Sequence, residues 1–221
     1  DYSSCSPTGM CSSFFGNMAD FDANAGGYGC AIYNFGSSLS MDQTYLYYNS
    51  AVYGGAVYQL GAAASSVSNS LFHHNGATGS VGGAIRVYQG NFVLRHATLA
   101  DNTGGAAYAL AAGTVNEVFN TIAWGNVEGF NGSPTTAGCN IDQSGNAGSA
   151  VDPRFVAPGD GEDYHVHPVS PAVNACSSGL AVDLENRQRP FRGRYDMGAY
   201  ELEEDFPWEL IMPAILPSPY R

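Results

Sequence analysis

The sequence VSNSLFHHNGATGSVGGAIRV, at residues 67–87, is one copy of a pattern that recurs before and after it. Each copy is marked by an asparagine, and successive asparagines are 32, 26, 27 and 24 residues apart. A loop of varying length and a short apolar segment follow each asparagine. Short strands that recur at this period without helical spacing predict a β-solenoid, in which every turn stacks on the next. The marker asparagines are Asn17, Asn49, Asn75, Asn102 and Asn126.

Positions eight, six and four before each marker have the same parity, so an extended strand would turn all three toward one face. We expect that face to line the core, with the middle position forming an internal ladder of side-chain hydrogen bonds. The marker asparagines are interpreted as structural corner residues, because asparagine tolerates the left-handed conformation. The outer two columns are Met41, Val67, Leu94 and Val118, and Tyr45, Leu71, Thr98 and Ile122; the middle column is Gln43, Asn69, His96 and Asn120.

The charge balance excludes several classes of partner. The net charge is −12, and all eight basic residues are arginine. A nucleic-acid-binding surface needs clustered basic side chains for the phosphates, so nucleic acid is not expected as a partner. Docking on an anionic membrane is disfavoured for the same reason. No cofactor is expected.

Five cysteines suggest an oxidising compartment. Cys5 and Cys11 are close enough in sequence to close a small loop, and Cys139 and Cys176 form the next candidate pair. Cys30 and Cys139 occupy equivalent places several rungs apart, roughly 19 Å at the usual strand spacing, which is too far for a disulfide. Cys30 is therefore either a buried thiol, which we favour, or an intermolecular partner.

The sequence predicts no catalytic site. Asp42 and Asp101 lie at different offsets from their markers, so they do not form the paired carboxylates that a polysaccharide hydrolase needs. Arg86 and Arg95 have no acids in matching columns. The pair His73-His74 has no carboxylate or cysteine at ligand spacing nearby, and we interpret it as a solvated corner. Asn131-Gly132-Ser133 is the one glycosylation sequon, and it makes Asn131 the candidate acceptor.

Four ordered segments between residues 151 and 201 resemble a known family: VDPRFV, DYHVHPVSPAVNA, VDLENRQRP and DMGAYE. They look like the terminal segment of the bacterial secreted "choice-of-anchor" parallel β-helix proteins. The preceding F-x-x-N and GGAI patterns resemble polymorphic outer-membrane protein repeats. Asn174-Ala175-Cys176 and Glu185-Asn186 depart from the usual Asp-Ala-Gly and Asp-Gly of the family. The resemblance implies a secreted or cell-surface protein and no particular activity.

We therefore predict an all-β chain, a right-handed single-stranded parallel β-helix of about five rungs. Residues 1–150 form the rungs, residues 151–201 a capping segment over the last rung, and residues 202–221 a proline-rich extended tail. The apolar run at residues 210–216 is far shorter than the ~20 residues of a membrane span, so the chain is not expected to span a membrane. The tail lies either along its own coil or on a neighbouring subunit. Its candidate inter-subunit residues are Phe206, Trp208, Leu210 and Ile211.

Two classes of function remain. The first is a non-enzymatic structural or adhesive surface protein that self-associates end to end into a filament or surface assembly, with the tail of one subunit reaching the next. The alternative is a carbohydrate-binding or polysaccharide-cleaving β-helix with a surface glycan as its partner. Acids do not line up in columns, whereas Tyr33, Tyr58, Tyr88 and Tyr108 supply aromatic side chains. We favour the structural class.

Overall fold

The structure is a computed structural model that describes residues 12–18, 28–61, 63–111 and 115–202. It is an all-β protein, and strands are numbered along the chain. The largest sheet contains nine strands. They are β1 (Ser12–Phe15), β3 (Ser40–Asp42), β4 (Thr44–Tyr47), β7 (Ser65–His73), β10 (Asn91–Ala100), β12 (Val115–Phe119), β13 (Ile122–Trp124), β15 (Thr136–Gly138) and β16 (Ile141–Asp142).

A second sheet contains five strands. They are β2 (Ile32–Phe35), β6 (Val57–Leu60), β9 (Ile85–Val87), β11 (Ala106–Leu110) and β14 (Glu128–Asn131). A small third sheet joins β5 (Ser50–Tyr53) to β8 (Gly76–Val81). Neighbouring strands in these three sheets are parallel, and each belongs to a different copy of the repeat.

The register follows the sequence repeat. Leu94 of β10 lies opposite Val67 of β7 on one side and Val118 of β12 on the other, so equal offsets from the marker asparagine stack on one another. The coil makes about four turns. The prediction of a parallel β-solenoid is confirmed. Among the described residues, no helix has the length and apolarity that crossing a membrane requires.

The core column eight residues before each marker lies inside the coil as expected, and Met41, Val67, Leu94 and Val118 belong to the main apolar cluster. The expectation for the column four before the marker is wrong. Leu71 and Ile122 instead face outward and pack against the C-terminal segment. Their place inside the coil is taken by the next residue along, in the column Leu46, Phe72, Leu99 and Ala123.

The middle column explains this change of face. Its residues are not extended, because their φ angles are positive, between 43° and 54°. A left-handed residue bends the strand and shifts the side-chain alternation by one position. The internal hydrogen-bonded ladder predicted here is therefore wrong. Gln43 donates to the Asp183 carbonyl and Asn120 to the Ser178 carbonyl, both in the C-terminal segment. Within the middle column, Asn120 Nδ2 lies 2.8 Å from His96 Nε2.

The marker asparagines form a continuous ladder of hydrogen bonds along the coil. From Asn49 onward, the Oδ1 of each marker accepts from the backbone N–H and the Nδ2 of the preceding marker, at 2.8–3.2 Å. The left-handed residue of the corner is the one before the marker, not the asparagine itself, which corrects our expectation. Those preceding residues are Gly16, Tyr48, His74, Asp101 and Gly125, with φ of 64°, 53°, 52°, 51° and 75°.

The two ends of the coil differ. The far end is formed by the last strands, β14 to β16. There the buried carboxylate of Asp142 accepts from the backbone N–H of Phe130 on β14, and from those of Ser144, Asn146 and Ala147. Ser149 accepts from the N–H of Asp142 on β16. The loop that follows β16 thus satisfies backbone groups that would otherwise be unpaired. At the first end, no strand of the described residues pairs with the outer edge of β1 or β2.

The C-terminal segment begins with an antiparallel pair, β17 (Phe155–Ala157) and β18 (Asp163–Val166), joined by a 3₁₀ turn at Gly159–Gly161. We expected it to cover the last rung. It lies instead along the flank of the large sheet, with contacts from Gln43 to Ile122. The disulfide between Cys139 and Cys176 joins it to the last level of the coil.

A buried ion pair fixes the end of this segment. Arg189 Nη1 lies 3.3 Å from Glu201 Oε2, and both side chains are fully buried. Arg189 also donates to His96 Nδ1 at 2.7 Å and to the Gly198 carbonyl at 2.9 Å. These contacts tie the VDLENRQRP and DMGAYE segments to each other and to the coil.

Candidate functional site

The outer face of the second sheet has a groove lined by tyrosines, here called the tyrosine face: Tyr28, Tyr33, Tyr53, Tyr58 and Tyr88. The groove has a volume of about 510 Å³, and Arg86 also lines it. The ring centroids of Tyr58 lie 5.8 Å from those of Tyr33 and 6.3 Å from those of Tyr88. Burial raises the pKa of Tyr58 to about 12, so its phenol stays protonated and able to donate.

The parallel register creates this face. Tyr33 lies opposite Tyr58, and Tyr58 lies opposite Arg86, so these side chains leave the sheet on the same side. Tyr108, which we grouped with the other tyrosines from the sequence, does not join them. It occupies the neighbouring register, opposite Ile85 and Phe130, and is buried in the coil, where its hydroxyl donates to Asn116 Oδ1 at 2.9 Å.

Large apolar side chains are exposed at the first end of the coil. Phe15, Met18 and Phe35 are 60%, 76% and 69% exposed. Phe15 stacks on Tyr47 of the next level, with ring centroids 4.8 Å apart. These side chains lie beside the strands β1 and β2 whose outer edges are unpaired among the described residues. The first end therefore combines exposed apolar surface with open strand edges.

The third candidate is the histidine–glutamate cluster, formed by His73, His74 and Glu162. Our interpretation of the histidine pair as a solvated corner is wrong, because His73 is fully buried and Glu162 of the C-terminal segment lies beside the pair. His73 Nδ1 lies 3.0 Å from His74 Nδ1, which lies 3.9 Å from Glu162 Oε1. Burial, followed by the neighbouring His74, lowers the pKa of His73 to about 3. Burial raises the pKa of Glu162.

A cleft of about 290 Å³ opens beside Arg95, His96 and Asn120. Its polar groups already have protein partners: His96 accepts from Arg189, and Asn120 donates to the Ser178 carbonyl. Burial, with the charge of Arg189 as the second cause, lowers the pKa of His96 to about 2. The cleft is therefore a seam between the coil and the C-terminal segment.

The remaining predicted residues lie apart from these surfaces or outside the described residues. Asp42 accepts from Ser68, while Asp101 accepts from Tyr164 at 2.8 Å and from the Gly159 N–H at 2.9 Å. Arg95 pairs with Glu117 at the surface, and Asn131 is exposed at the end of β14. Cys30 is half-buried. Cys5, Cys11, Phe206, Trp208, Leu210 and Ile211 lie outside the described residues.

Fold and surface together define a parallel β-solenoid with an aromatic outer face and a C-terminal segment fastened along its flank. No family profile, curated protein or solved structure matches the chain.

Sequence reasoning missed Glu162 because the repeat does not contain it. Glu162 lies 88 positions after His74, in the segment we expected to cover the last rung. Tyr28 and Tyr53 were missed although a signal was present. Both precede a glycine of the Gly-rich entry to the second sheet, at Tyr28-Gly29 and Tyr53-Gly54, and the two tyrosines form a parallel bridge.

Proposed function

We propose that this protein is an extracellular structural or adhesive protein, without enzymatic activity, that associates with a second copy of itself through the first end of the coil. The observation that carries the proposal is the combination at that end of Phe15, Met18 and Phe35 with the outer edges of β1 and β2, which pair with no strand in the described part of the chain. An exposed apolar patch beside an unpaired strand edge is a template for another chain.

The partial covering of the far end, which the described residues show at β14 and β16 though not at β15, favours one geometry of association. At the far end, Asp142 already accepts a hydrogen bond from a backbone N–H of β14, and Ser149 accepts one from a backbone N–H of β16. A contact between the first ends of two copies uses the same surface on both, and such an isologous contact gives a closed dimer. Our sequence-based proposal of a head-to-tail filament through Phe206 and Trp208 concerns residues outside the described part of the chain.

A secreted, bacterial cell-surface location is part of the proposal. It is supported by the resemblance of the segments at residues 151–201 to choice-of-anchor β-helix proteins. The disulfide between Cys139 and Cys176 agrees with an oxidising compartment, because such bonds are rare in the cytosol.

Light scattering after gel filtration of the full chain tests the association. The mass should rise with concentration from monomer to dimer. The double variant Met18→Ser/Phe35→Ser should remain monomeric at concentrations where the wild type is dimeric. The matched control is Val156→Ser/Val169→Ser, which removes two side chains of 52% exposure from the C-terminal segment and should dimerise normally. A wild-type chain that stays monomeric at every concentration contradicts the proposal.

The second candidate function is binding of a neutral glycan on the tyrosine face. The observation in its favour is the groove of five tyrosines, since aromatic rings pack against the C–H faces of sugars while phenol groups bond their hydroxyls. The net charge of −12 disfavours acidic glycans. Polysaccharide cleavage has no comparable support.

Calorimetry with neutral oligosaccharides tests this candidate. Tyr33→Ala/Tyr88→Ala should weaken binding at least about tenfold, because it removes two exposed stacking surfaces. Tyr48→Ala is the control, since Tyr48 is similarly exposed but lies outside the groove. Glycan binding that both variants retain equally would remove the tyrosine face from consideration.

A further inference from the structure

The histidine–glutamate cluster brings three metal-binding atoms together. One ligand atom from each of His73, His74 and Glu162 lies within 4.8 Å of the other two. The Nδ1 atoms of His73 and His74 are 3.0 Å apart, and His74 Nδ1 lies 3.9 Å from Glu162 Oε1. Ligands bound tetrahedrally to Zn²⁺ at about 2.0–2.1 Å are about 3.4 Å from each other. The observed separations lie on either side of that value, so small rotations of the His74 and Glu162 side chains are enough to centre an ion.

The backbone explains why adjacent histidines point to the same place. In an extended strand, consecutive side chains point to opposite faces. His74 has φ of 52°, and this left-handed turn brings its ring beside that of His73, with ring centroids 5.3 Å apart. Glu162 also has a left-handed backbone, φ 51°, at the end of the 3₁₀ turn. Asp101 positions that turn by accepting from the Gly159 N–H.

Aromatic rings hold both imidazoles in position. Tyr47 is stacked on His73, with ring planes 2° apart, and Tyr48 is stacked on His74, with ring planes 16° apart. Tyr48 also donates its hydroxyl to Glu162 Oε1. On the other side, Tyr164 donates to Asp101 and lies 3.4 Å from His74 Nδ1. Partners of this kind orient the ligands of a metal and strengthen its binding.

The cluster is accessible from one side. His73 is fully buried, whereas the side chains of His74 and Glu162 are 22% and 17% exposed. An ion can therefore enter past His74 and Glu162 and keep a solvent molecule as a further ligand. Two imidazole nitrogens and one carboxylate oxygen suit zinc and its neighbours in the first transition series, whereas Ca²⁺ and Mg²⁺ prefer sites built from oxygen alone.

We propose that His73 Nδ1, His74 Nδ1 and Glu162 Oε1 bind a divalent transition-metal ion of the zinc type, with a solvent molecule as the fourth ligand. Coordination replaces the contact between the two Nδ1 atoms and requires each neutral ring to carry its proton on Nε2. Because the histidines belong to β7 and its corner while Glu162 follows the 3₁₀ turn, the ion fastens the C-terminal segment to the coil. Metal should therefore stabilise the folded chain.

The test uses the untagged full chain, dialysed against a chelator and then titrated with ZnCl₂ in a calorimeter. Co²⁺ titration followed by visible absorption reports the coordination geometry. The variants are Glu162→Gln, which keeps the size of the side chain, and His74→Asn, because asparagine tolerates the left-handed backbone. The control is His167→Gln, which removes an exposed histidine elsewhere in the C-terminal segment. Circular dichroism establishes that each variant is folded.

We expect one Zn²⁺ per wild-type chain, the intense absorption bands of tetrahedral Co²⁺, and a rise in melting temperature with zinc. Glu162→Gln and His74→Asn should each weaken Zn²⁺ binding at least about tenfold, and His167→Gln should leave it unchanged. Absence of stoichiometric Zn²⁺ binding by the wild type overturns the proposal. Undiminished binding by both folded ligand variants overturns it as well.

Discussion

Asn102 donates from Nδ2 to Oδ1 of Asn126, 2.9 Å away on the next level of the coil. The same NH₂ group shares its two hydrogens with the carbonyl oxygens of Phe72 and Ala100, each 3.0 Å away, while Oδ1 of Asn102 accepts twice from Asn75. One buried side chain thus connects three levels. A shorter or apolar side chain cannot make these bonds, which is why asparagine recurs at every corner.

Replacement of Asn102 by alanine should lower the free energy of unfolding by about 3 kcal/mol, because it leaves buried backbone groups without partners. Urea unfolding followed by circular dichroism measures the change. Asn131→Ala is the control, since Asn131 is exposed and should change stability by less than about 0.5 kcal/mol. Equal effects of the two substitutions would show that the ladder does not stabilise the coil.

The buried ion pair gives a second prediction. Glu201→Gln should destabilise the fold by about 3–5 kcal/mol, because it removes the charged partner that lies 3.3 Å from the buried Arg189 guanidinium. Glu117→Gln removes the partner of Arg95 in a surface pair and should cost less than about 1 kcal/mol. Chemical denaturation of both variants at neutral pH checks the difference. If Glu201→Gln lowers the free energy of unfolding no more than Glu117→Gln does, the buried pair does not stabilise the fold as proposed.

His96 predicts how stability depends on pH. Burial and the adjacent Arg189 lower the pKa of His96 to about 2, below its ordinary value of 6.5. As the pH falls below 6.5, the unfolded chain binds a proton at this position and the folded chain does not. Stability should therefore fall by up to about 1.4 kcal/mol per pH unit from this group, between pH 6.5 and the pKa in the folded state.

Unfolding free energies of the wild type and His96→Asn, measured from pH 7 to pH 4, isolate this effect. Burial raises the pKa values of Asp196 and Glu201, and their titration acts in the opposite direction in both proteins. The variant should be less stable at pH 7 but show a shallower loss toward pH 4. Parallel curves for the two proteins would mean that His96 is not held neutral in the folded state.

The repeat made the parallel stacking and the register predictable, because Met41, Val67, Leu94 and Val118 recur at one offset from the marker. It did not reveal the left-handed residues at Gln43 and His96, since the alternating pattern predicts an extended backbone throughout the strand. The resulting error placed Leu71 inside the coil. Proximity of Glu162 to His74 was not predictable, because it depends on where a non-repeating segment packs.

Surface function was predictable only in part. Tyrosines in the second-sheet segments could be found from the sequence, but one register position separates Tyr58, which lines the outer groove, from Tyr108, which is buried inside the coil. The choice between inside and outside depends on backbone conformation at the strand entry. Exposure of Met18 and Phe35 likewise follows from their place on the first level, which has no described strand beyond it.

Hydrogen exchange of the wild-type chain, measured by mass spectrometry at protein concentrations below and above the dimerisation midpoint, tests the central claim most directly. Association through the first end should slow exchange in peptides containing β1 (Ser12–Phe15) and β2 (Ile32–Phe35) as concentration rises. Peptides containing β14 (Glu128–Asn131) and β16 (Ile141–Asp142) should exchange at the same rate throughout. Exchange in β1 and β2 that is independent of concentration, or protection that appears at the far end instead, would contradict association through the first end.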